Sequence, residues 1–300
     1  MRPNRKIRVL LITGLLLLVT LLIAVSYFSS SSQLAAEIVP HPNGYDDFVA
    51  AGKLLTGDAP DRKTATLSEL QAYLATNQPA LERARLGLTK DCASPTVYTT
   101  NYIESLASSL SPIKGIAVTF CLVGRKAELE GRPEEAAQVY LSTFKIGTGL
   151  SRNALLIDAL VSIAIESIGS SSFEGLIPKL TAAQCRTNLI ALEKIYRDQE
   201  PFALVIIHEN RFTQSYPFNL RIQEMIVERA FHPGALVQKK TKVKYDAQLL
   251  KLLLLEKNLA DRAFELEQGH PPAKWNDIVP AYLPAIPTDP ATGQALPFNF

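Results

Sequence analysis

A group of polar residues in the second half of the chain has residue types and a spacing that occur in metal-binding and catalytic sites. His208-Glu209 is the first half of a zinc-binding helix motif, in which two histidines one turn apart bind the metal. The second histidine would stand at position 212, where the chain has Phe212. Because one imidazole cannot replace that pair, we expect no zinc site here. We expect no other metal and no cofactor.

Glu200 and Arg211 flank this pair, and two hypotheses fit the four side chains. They are either the candidate catalytic groups of an enzyme of unrecognised type, Glu200, His208, Glu209 and Arg211, or a buried polar network between two helices. Buried polar groups must find partners, and the sequence favours that structural role. The chain has no Gly-x-Ser-x-Gly elbow and no phosphate-binding loop ending in Gly-Lys-Ser or Gly-Lys-Thr. The sequence therefore leans against an enzyme.

The elements that must position these residues are predicted to be helices throughout, which makes the fold all-α. Asn43 is placed to cap a first helix over 45–55, and capping boxes at 66–69 and 181–184 start two others. Apolar periodicity predicts helices over 202–212, 220–231 and 246–267. Gly147 and Gly149 separate two apolar stripes. From Gly269 the chain is dense in proline, so helices end there and the tail is expected to pack back on the body.

The best-patterned pair of helices lies between residues 103 and 168, with a tight turn between them. Small and aromatic residues, which we expect to pack this hairpin, stand at helical spacing: Phe120, Gly124, Gly131, Ala136 and Tyr140. This spacing is similar to one tetratricopeptide (TPR) repeat of roughly 34 residues, which implies a helical hairpin that presents a groove. Ala127 and Thr148 depart from that pattern, and no second copy follows. A generic antiparallel hairpin explains the same residues.

The first 28 residues predict how the chain meets a membrane. Arg2, Arg5, Lys6 and Arg8 precede 20 uncharged, mostly apolar residues, Val9 to Phe28. That length crosses a bilayer core of roughly 30 Å, and the basic residues place the N-terminus in the cytoplasm and the body outside it. A signal peptide cleaved near Ala24 is the alternative, although the apolar run is long for one. Both hypotheses export the body.

The net charge of the body limits the kinds of partner that it can bind. The first 28 residues hold four of the 31 Lys and Arg and none of the 29 Asp and Glu, so the remainder has a net charge of −2. This near-neutral balance excludes a concentrated nucleic-acid surface. The one basic run comprises Lys239, Lys240, Lys242 and Lys244. It is predicted to be a solvated loop ahead of the last helix, or a contact for anionic lipid headgroups.

Three cysteines are too few for a disulfide framework. In an oxidising compartment one pair of Cys92, Cys121 and Cys185 can form a disulfide. Cys121 lies in an apolar helical pattern, so buried free thiols explain the same residues. The sequence leaves both possibilities open.

The tail adds a resemblance that extends loosely over the whole chain. Gly269 to Pro271, Ile278 to Pro284 and Asp289 to Gly293 look like the ending of uncharacterised bacterial envelope proteins with one N-terminal membrane helix and a helical body. The tail is also similar in outline to type II secretion pseudopilins. Residues 1–12, however, lack the glycine and the glutamate of a pseudopilin processing site, which argues against a pseudopilin-like secretion component.

The resulting domain prediction has five parts: a cytoplasmic terminus 1–8, an anchor 9–28, a linker 29–44, a helical extracytoplasmic domain 45–268 and a proline-rich extension 269–300. The resemblance implies a protein of the cytoplasmic membrane with no known activity. The leading hypothesis is an interaction or scaffolding module with a protein partner, and the alternative is an unrecognised enzyme.

Overall fold

The computed structural model describes residues 39–99, 102–216 and 233–299, and in these ranges it is all-α apart from one bridge between Thr288 and Ala295. The helices, numbered in chain order, are α1 Gly44–Lys53, α2 Leu67–Thr76, α3 Gln78–Leu88, α4 Tyr102–Leu129, α5 Pro133–Ser151, α6 Leu156–Glu174, α7 Ala182–Arg197, α8 Phe202–Gln214, α9 Pro233–Gln268 and α10 Trp275–Ile278. A 3₁₀ turn, Ile177–Lys179, follows α6.

The three predicted helix caps are confirmed. The Asn43 side chain accepts a hydrogen bond from the Tyr45 amide, and α1 begins at Gly44. Thr66 and Thr181 form capping boxes with Glu69 and Gln184. Each cap supplies an acceptor for amides that the first helical turn leaves without an intrahelical partner.

Helices α4 and α5 form the expected antiparallel hairpin around a close contact at Gly124. A Cβ atom built on Gly124 would lie 2.7 Å from Cζ of Tyr140, and Tyr140 is fully buried. The Tyr140 hydroxyl donates to Oε1 of Glu128 at 2.5 Å, which fixes the ring against α4. Gly131 turns the chain with a φ of +73°, where L side chains are strained. Phe120 and Ala136 are buried on either side.

Helix α5 continues through Gly147 and Gly149 to Ser151, so these glycines do not separate two helices as the sequence suggested. They mark close approaches instead. A Cβ atom on Gly147 would lie 2.5 Å from Cγ of Glu166, and one on Gly149 would lie 2.8 Å from Sγ of Cys92. The glycines therefore let α6 and the loop after α3 lie directly on α5.

The last long helix starts earlier than predicted. Because α9 begins at Pro233, the basic run from Lys239 to Lys244 is helical, and the prediction of a loop there is wrong. Apolar periodicity did not predict this part of the helix, because lysines and apolar residues are mixed along it and no continuous apolar stripe is visible in the sequence. The predicted helix over 220–231 lies outside the described residues.

The proline-rich tail packs on α7 and α9. Arg186 of α7 makes two hydrogen bonds to the carboxylate of Glu267, at 2.7 and 2.8 Å, and its guanidinium lies 4.1 Å from the centre of the Tyr282 ring. Trp275 donates from its indole nitrogen to the Leu296 carbonyl at 2.9 Å. Ile278 and Leu283 are buried in the same core as α5 and α7. The tail thus closes one end of the body.

Among the described residues, one segment, Leu156–Lys179, is long and apolar enough to cross a membrane. Its most apolar window is 56% buried inside the body, where α4, α5 and α9 pack on α6. It also carries the buried carboxyls of Asp158 and Glu166. These features are typical of a core helix, so we treat it as one. The proposed anchor from Val9 to Phe28 lies outside the described residues.

The hairpin contact predicts that Gly124→Leu lowers the free energy of unfolding. Forcing a side chain into the space of Tyr140 costs about 1–3 kcal/mol through overpacking. Chemical denaturation followed by circular dichroism measures this loss.

Gly175→Ala is the matched control, because the nearest atom to its Cβ is 4.0 Å away and its backbone is helical. It should leave stability unchanged or raise it slightly. Equal midpoints for the wild type and the Gly124→Leu variant would contradict the packing described for α4 and α5.

Candidate functional site

The structure places three of the four sequence-predicted polar residues around one turn, residues 152–156, between α5 and α6. Glu200 lies just before α8, and its Oε2 accepts from the Asn153 amide at 2.8 Å. Glu209, on α8, accepts from the Leu156 amide at 2.9 Å. Asp158 completes the set by accepting from the Leu155 amide at 3.0 Å. The three carboxylates together satisfy the amides at the start of α6.

His208 joins this arrangement from α8. Its Nδ1 lies 3.4 Å from Oε1 of Glu200, and both side chains are about 95% buried. The Tyr245 hydroxyl of α9 donates to the Glu200 carbonyl at 2.6 Å. Arg211 lies one turn further along α8 and is half-buried. The four predicted residues thus lie on the same segment, but only three of them converge.

A positive φ explains why this turn needs so many partners. Asn153 has a φ of 53°, which side chains other than glycine adopt infrequently. Its side-chain amide donates to the Ser94 carbonyl at 2.9 Å, and its own carbonyl accepts from the Thr96 hydroxyl at 2.6 Å. The turn therefore connects α5, α6, α8 and the loop before α4.

A second buried carboxyl, Glu166, lies in the middle of α6. Gln199 donates to its Oε1 at 2.7 Å, and the Ser162 hydroxyl lies 3.5 Å from the same oxygen. The adjoining cavity is nearly closed and has a volume of about 10 Å³, lined in part by Tyr245 and Gln248. Such a space is near the minimum for one water molecule, so it cannot admit a substrate.

Burial changes the protonation of these acids. Burial raises the pKa of Glu166 to about 7, and it raises that of Asp158 to about 7, with the charge of Glu209 adding to the effect on Asp158. Burial also raises the pKa of Glu209. The sequence analysis did not select Asp158 and Glu166, because they stand within an apolar stripe. The signal that could have found them is the presence of two acids, eight residues apart, in that stripe.

An open cleft lies on the other side of the same turn. It has a volume of about 670 Å³ and is bounded by the end of α3, the loop at 89–92, the second half of α5 and the end of α7. Cations from three elements line it: Lys145 of α5, Arg152 directly after α5, and Lys194 of α7. The half-buried Leu88 side chain supplies apolar surface. Sequence reasoning missed this cleft because its residues are far apart along the chain.

Three cations of this cleft form no ion pair with a described residue. Among the described residues, no carboxylate oxygen lies within 4.0 Å of the side-chain nitrogens of Lys145, Arg152 or Lys194. Lys90, at the rim, pairs with the buried Asp47. Asp91 and Asp198 also line the cleft. The cleft therefore has a net positive charge and is open to solvent.

A larger cleft of about 780 Å³ between α9 and the tail differs in this respect. Its Lys257 pairs with Asp261 at 2.6 Å, and its Arg262 pairs with Glu265 at 2.8 Å. Paired charges have little left to offer a ligand. The cleft between α5 and α7 is therefore the better candidate for binding an anionic partner.

Metal and thiol chemistry find no support in the part of the chain that the structure describes. It contains no group of three His, Cys, Asp or Glu side chains that could hold a metal ion. Cys92, Cys121 and Cys185 are free and buried. Burial raises the pKa of Cys92 to about 12 and that of Cys121 to about 11, so both thiols stay protonated at neutral pH.

The comparisons with known proteins add no assignment. No protein-family model matches the chain, and neither a curated protein nor a solved structure matches it significantly.

The buried acids predict that the body becomes less stable as the pH rises. Glu166 has a higher pKa folded than unfolded, so its stabilising contribution is complete below about pH 4.5 and is lost as the pH rises through about 7. A shift of this size corresponds to roughly 3 kcal/mol. Glu166→Gln should flatten the fall in unfolding free energy between pH 5 and pH 8, measured by urea denaturation at each pH.

Glu174→Gln, at the exposed end of the same helix, removes a carboxylate without changing the interior and serves as the control. The same slope for wild type and Glu166→Gln would show that Glu166 is already ionised in the folded protein.

Proposed function

We propose that the protein is a single-pass protein of the cytoplasmic membrane whose extracytoplasmic helical body binds an acidic segment of a partner protein. The basic residues before Val9 and the uncharged run to Phe28 support the anchor and its orientation. The body supplies the binding surface. The function is that of an interaction or scaffolding module, with no catalytic step.

The observation that carries this proposal is the cationic cleft between α5 and α7. Lys145, Arg152 and Lys194, which form no ion pair among the described residues, line an open cleft with a volume of about 670 Å³. An acidic peptide segment would lie along such a surface with its carboxylates on the cations. The half-buried Leu88 side chain offers apolar contact beside them. This combination of spaced charge and apolar floor suits an extended segment better than a compact ligand.

The order of helix contacts supports a scaffold. Helix α4 packs against α5 and α6, α5 packs against α6 and α7, and α9 packs against α6 and α7. The contacts among α4, α5, α6 and α7 join a helix to the next helix or the next but one, which is typical of stacked helical hairpins that present long surfaces to partners. Helix α9 instead packs back on α6 and α7. We therefore retain a TPR-like stack as the finer description of the body.

The polar group around Glu200 favours binding over catalysis for a different reason. The Glu200 and Glu209 carboxylates accept hydrogen bonds from the backbone amides of Asn153 and Leu156. A general acid or base must reach a substrate proton, and these groups are turned toward the chain itself.

The partner is tested by placing a photo-crosslinking amino acid at Ala191, which lines the cleft, in the full-length protein in cells. Ile190 is the matched control: it is the preceding residue of α7, is 66% exposed and does not line the cleft. We expect a defined crosslinked partner from Ala191 and none from Ile190.

Lys145→Glu combined with Lys194→Glu should reduce that crosslink at least about tenfold, equal to about 1.4 kcal/mol, because both contacts become repulsive. Lys274→Glu, in the tail, should leave it unchanged. Equal crosslinking at both positions, or no effect of charge reversal at the cleft, would contradict binding in this cleft.

The anchor is tested by alkaline extraction of membranes from cells that express the full-length chain. An uncleaved anchor keeps the protein in the membrane pellet with residues 1–28 detectable by mass spectrometry. A soluble protein whose N-terminus begins near Ser26 would show that the segment is a signal peptide, and the proposed anchor would be wrong.

A further inference from the structure

The first half of α9 has an unusual distribution of apolar side chains. Leu236, Val237 and Val243 are 51%, 48% and 63% exposed, whereas Thr241 and Gln248 are 2% and 6% exposed. The helix thus turns polar residues inward and apolar residues outward. Isolated exposed apolar residues are common, but several on one helix face indicate a contact surface.

Helical spacing places the exposed residues on one side. Leu236, Lys240, Val243 and Ala247 follow the i, i+4, i+7, i+11 pattern, and all four are exposed. Lys239 and Lys244 fall on the two flanks of this row. The result is a mixed face, which we call the α9 outer face: Leu236, Val243 and Ala247 share it with Lys240, and Lys239 and Lys244 flank it.

The lysines of the α9 outer face are available for a ligand. Among the described residues, Lys239, Lys240 and Lys244 take part in no ion pair with a carboxylate, whereas Lys242 bonds to Asp246 at 2.6 Å. The side that faces the body is held by buried Tyr245, which contacts Phe202 with ring centres 5.4 Å apart. The outer face is therefore built on a fixed helix.

We propose that the α9 outer face docks onto the anionic surface of a phospholipid bilayer. Apolar side chains on such a helix enter the region between headgroups and acyl chains, and flanking lysines extend to the phosphates. Each lysine near an anionic surface strengthens the attraction to it. A protein interface is the weaker alternative, because lysine is depleted at the centre of protein interfaces.

The chain length allows this contact. The inference rests on the proposed anchor, whose apolar run ends at Phe28, while α1 begins at Gly44. The segment between them spans at most roughly 55 Å at about 3.5 Å per residue. A compact body of this size has a radius of gyration of roughly 18 Å, so any of its faces can reach the bilayer that holds the anchor.

The test uses the full-length protein reconstituted in vesicles of neutral phosphatidylcholine or of phosphatidylcholine with phosphatidylglycerol. An environment-sensitive fluorophore is attached to Val243→Cys under native conditions, where the three native thiols are buried. We expect a blue-shifted emission and quenching by lipid-borne quenchers in the anionic vesicles alone. Salt near 1 M, at which charges are screened beyond about 3 Å, should reverse both effects.

Two controls separate docking from general proximity to the membrane. The same label at Ile190→Cys, an equally exposed position on α7, should respond in neither vesicle. Lys239→Gln, Lys240→Gln and Lys244→Gln together should abolish the response at residue 243 while the protein remains in the vesicle fraction.

Two outcomes would overturn the docking proposal. A label at residue 243 that stays in water in both vesicles excludes docking. A blue shift that is equal in neutral vesicles, anionic vesicles and detergent shows that protein covers the face, and its dependence on concentration identifies a second copy. Protein that fails to stay with neutral vesicles refutes the anchor instead, and its binding to anionic vesicles then still decides the docking proposal.

Discussion

The turn from Arg152 to Leu156 is the joint on which the rest of the body depends. Its amides bind the carboxylates of Glu200, Asp158 and Glu209, and Asn153 adopts a positive φ within it. Buried amides without acceptors would each cost about 1–3 kcal/mol, so the turn requires these acids. The same turn directs Arg152 into the open cleft. The hydrogen bonds that hold the turn on its buried side thus also place the Arg152 side chain in the cleft.

This joint accounts for the positions of the catalytic-looking residues Glu200 and Glu209. Glu200, His208 and Glu209 have the types and spacing of reactive groups, but their polar atoms lie within reach of the backbone of one turn and of each other. A buried carboxyl of raised pKa is frequently a sign of function. Here the raised pKa of Glu166 and of Asp158 follows from the packing of α5, α6 and α9, which leaves almost no free volume. A buried acid that no substrate can reach has its raised pKa because of packing.

The fold could be read from the sequence wherever the determining interactions are local. The Asn43 cap, the two capping boxes and the Gly131 turn depend on residues within a few positions of each other. The contact between Gly124 and Tyr140 was accessible because a hairpin brings nearby positions together. Gly147 and Gly149 were misread because their reason lies in Glu166 and Cys92, which approach from other elements.

The candidate site was less accessible for the same physical reason. The Glu200 group could be selected by residue type, but its role depends on the distant turn that it caps. Lys145, Arg152 and Lys194 come together only when α5 packs against α7. No sequence pattern marks such a cleft, because exposed lysines are the commonest surface residues.

The central claim is that the Glu200 group holds the turn beside the cleft. Amide hydrogen exchange of Glu200→Gln and Glu209→Gln, each compared with wild type, tests it most directly. The account predicts that the amides of Asn153 and Leu156 lose protection while α4, α7 and the tail keep theirs. Unchanged protection at both amides would contradict it and would free these carboxylates for another role.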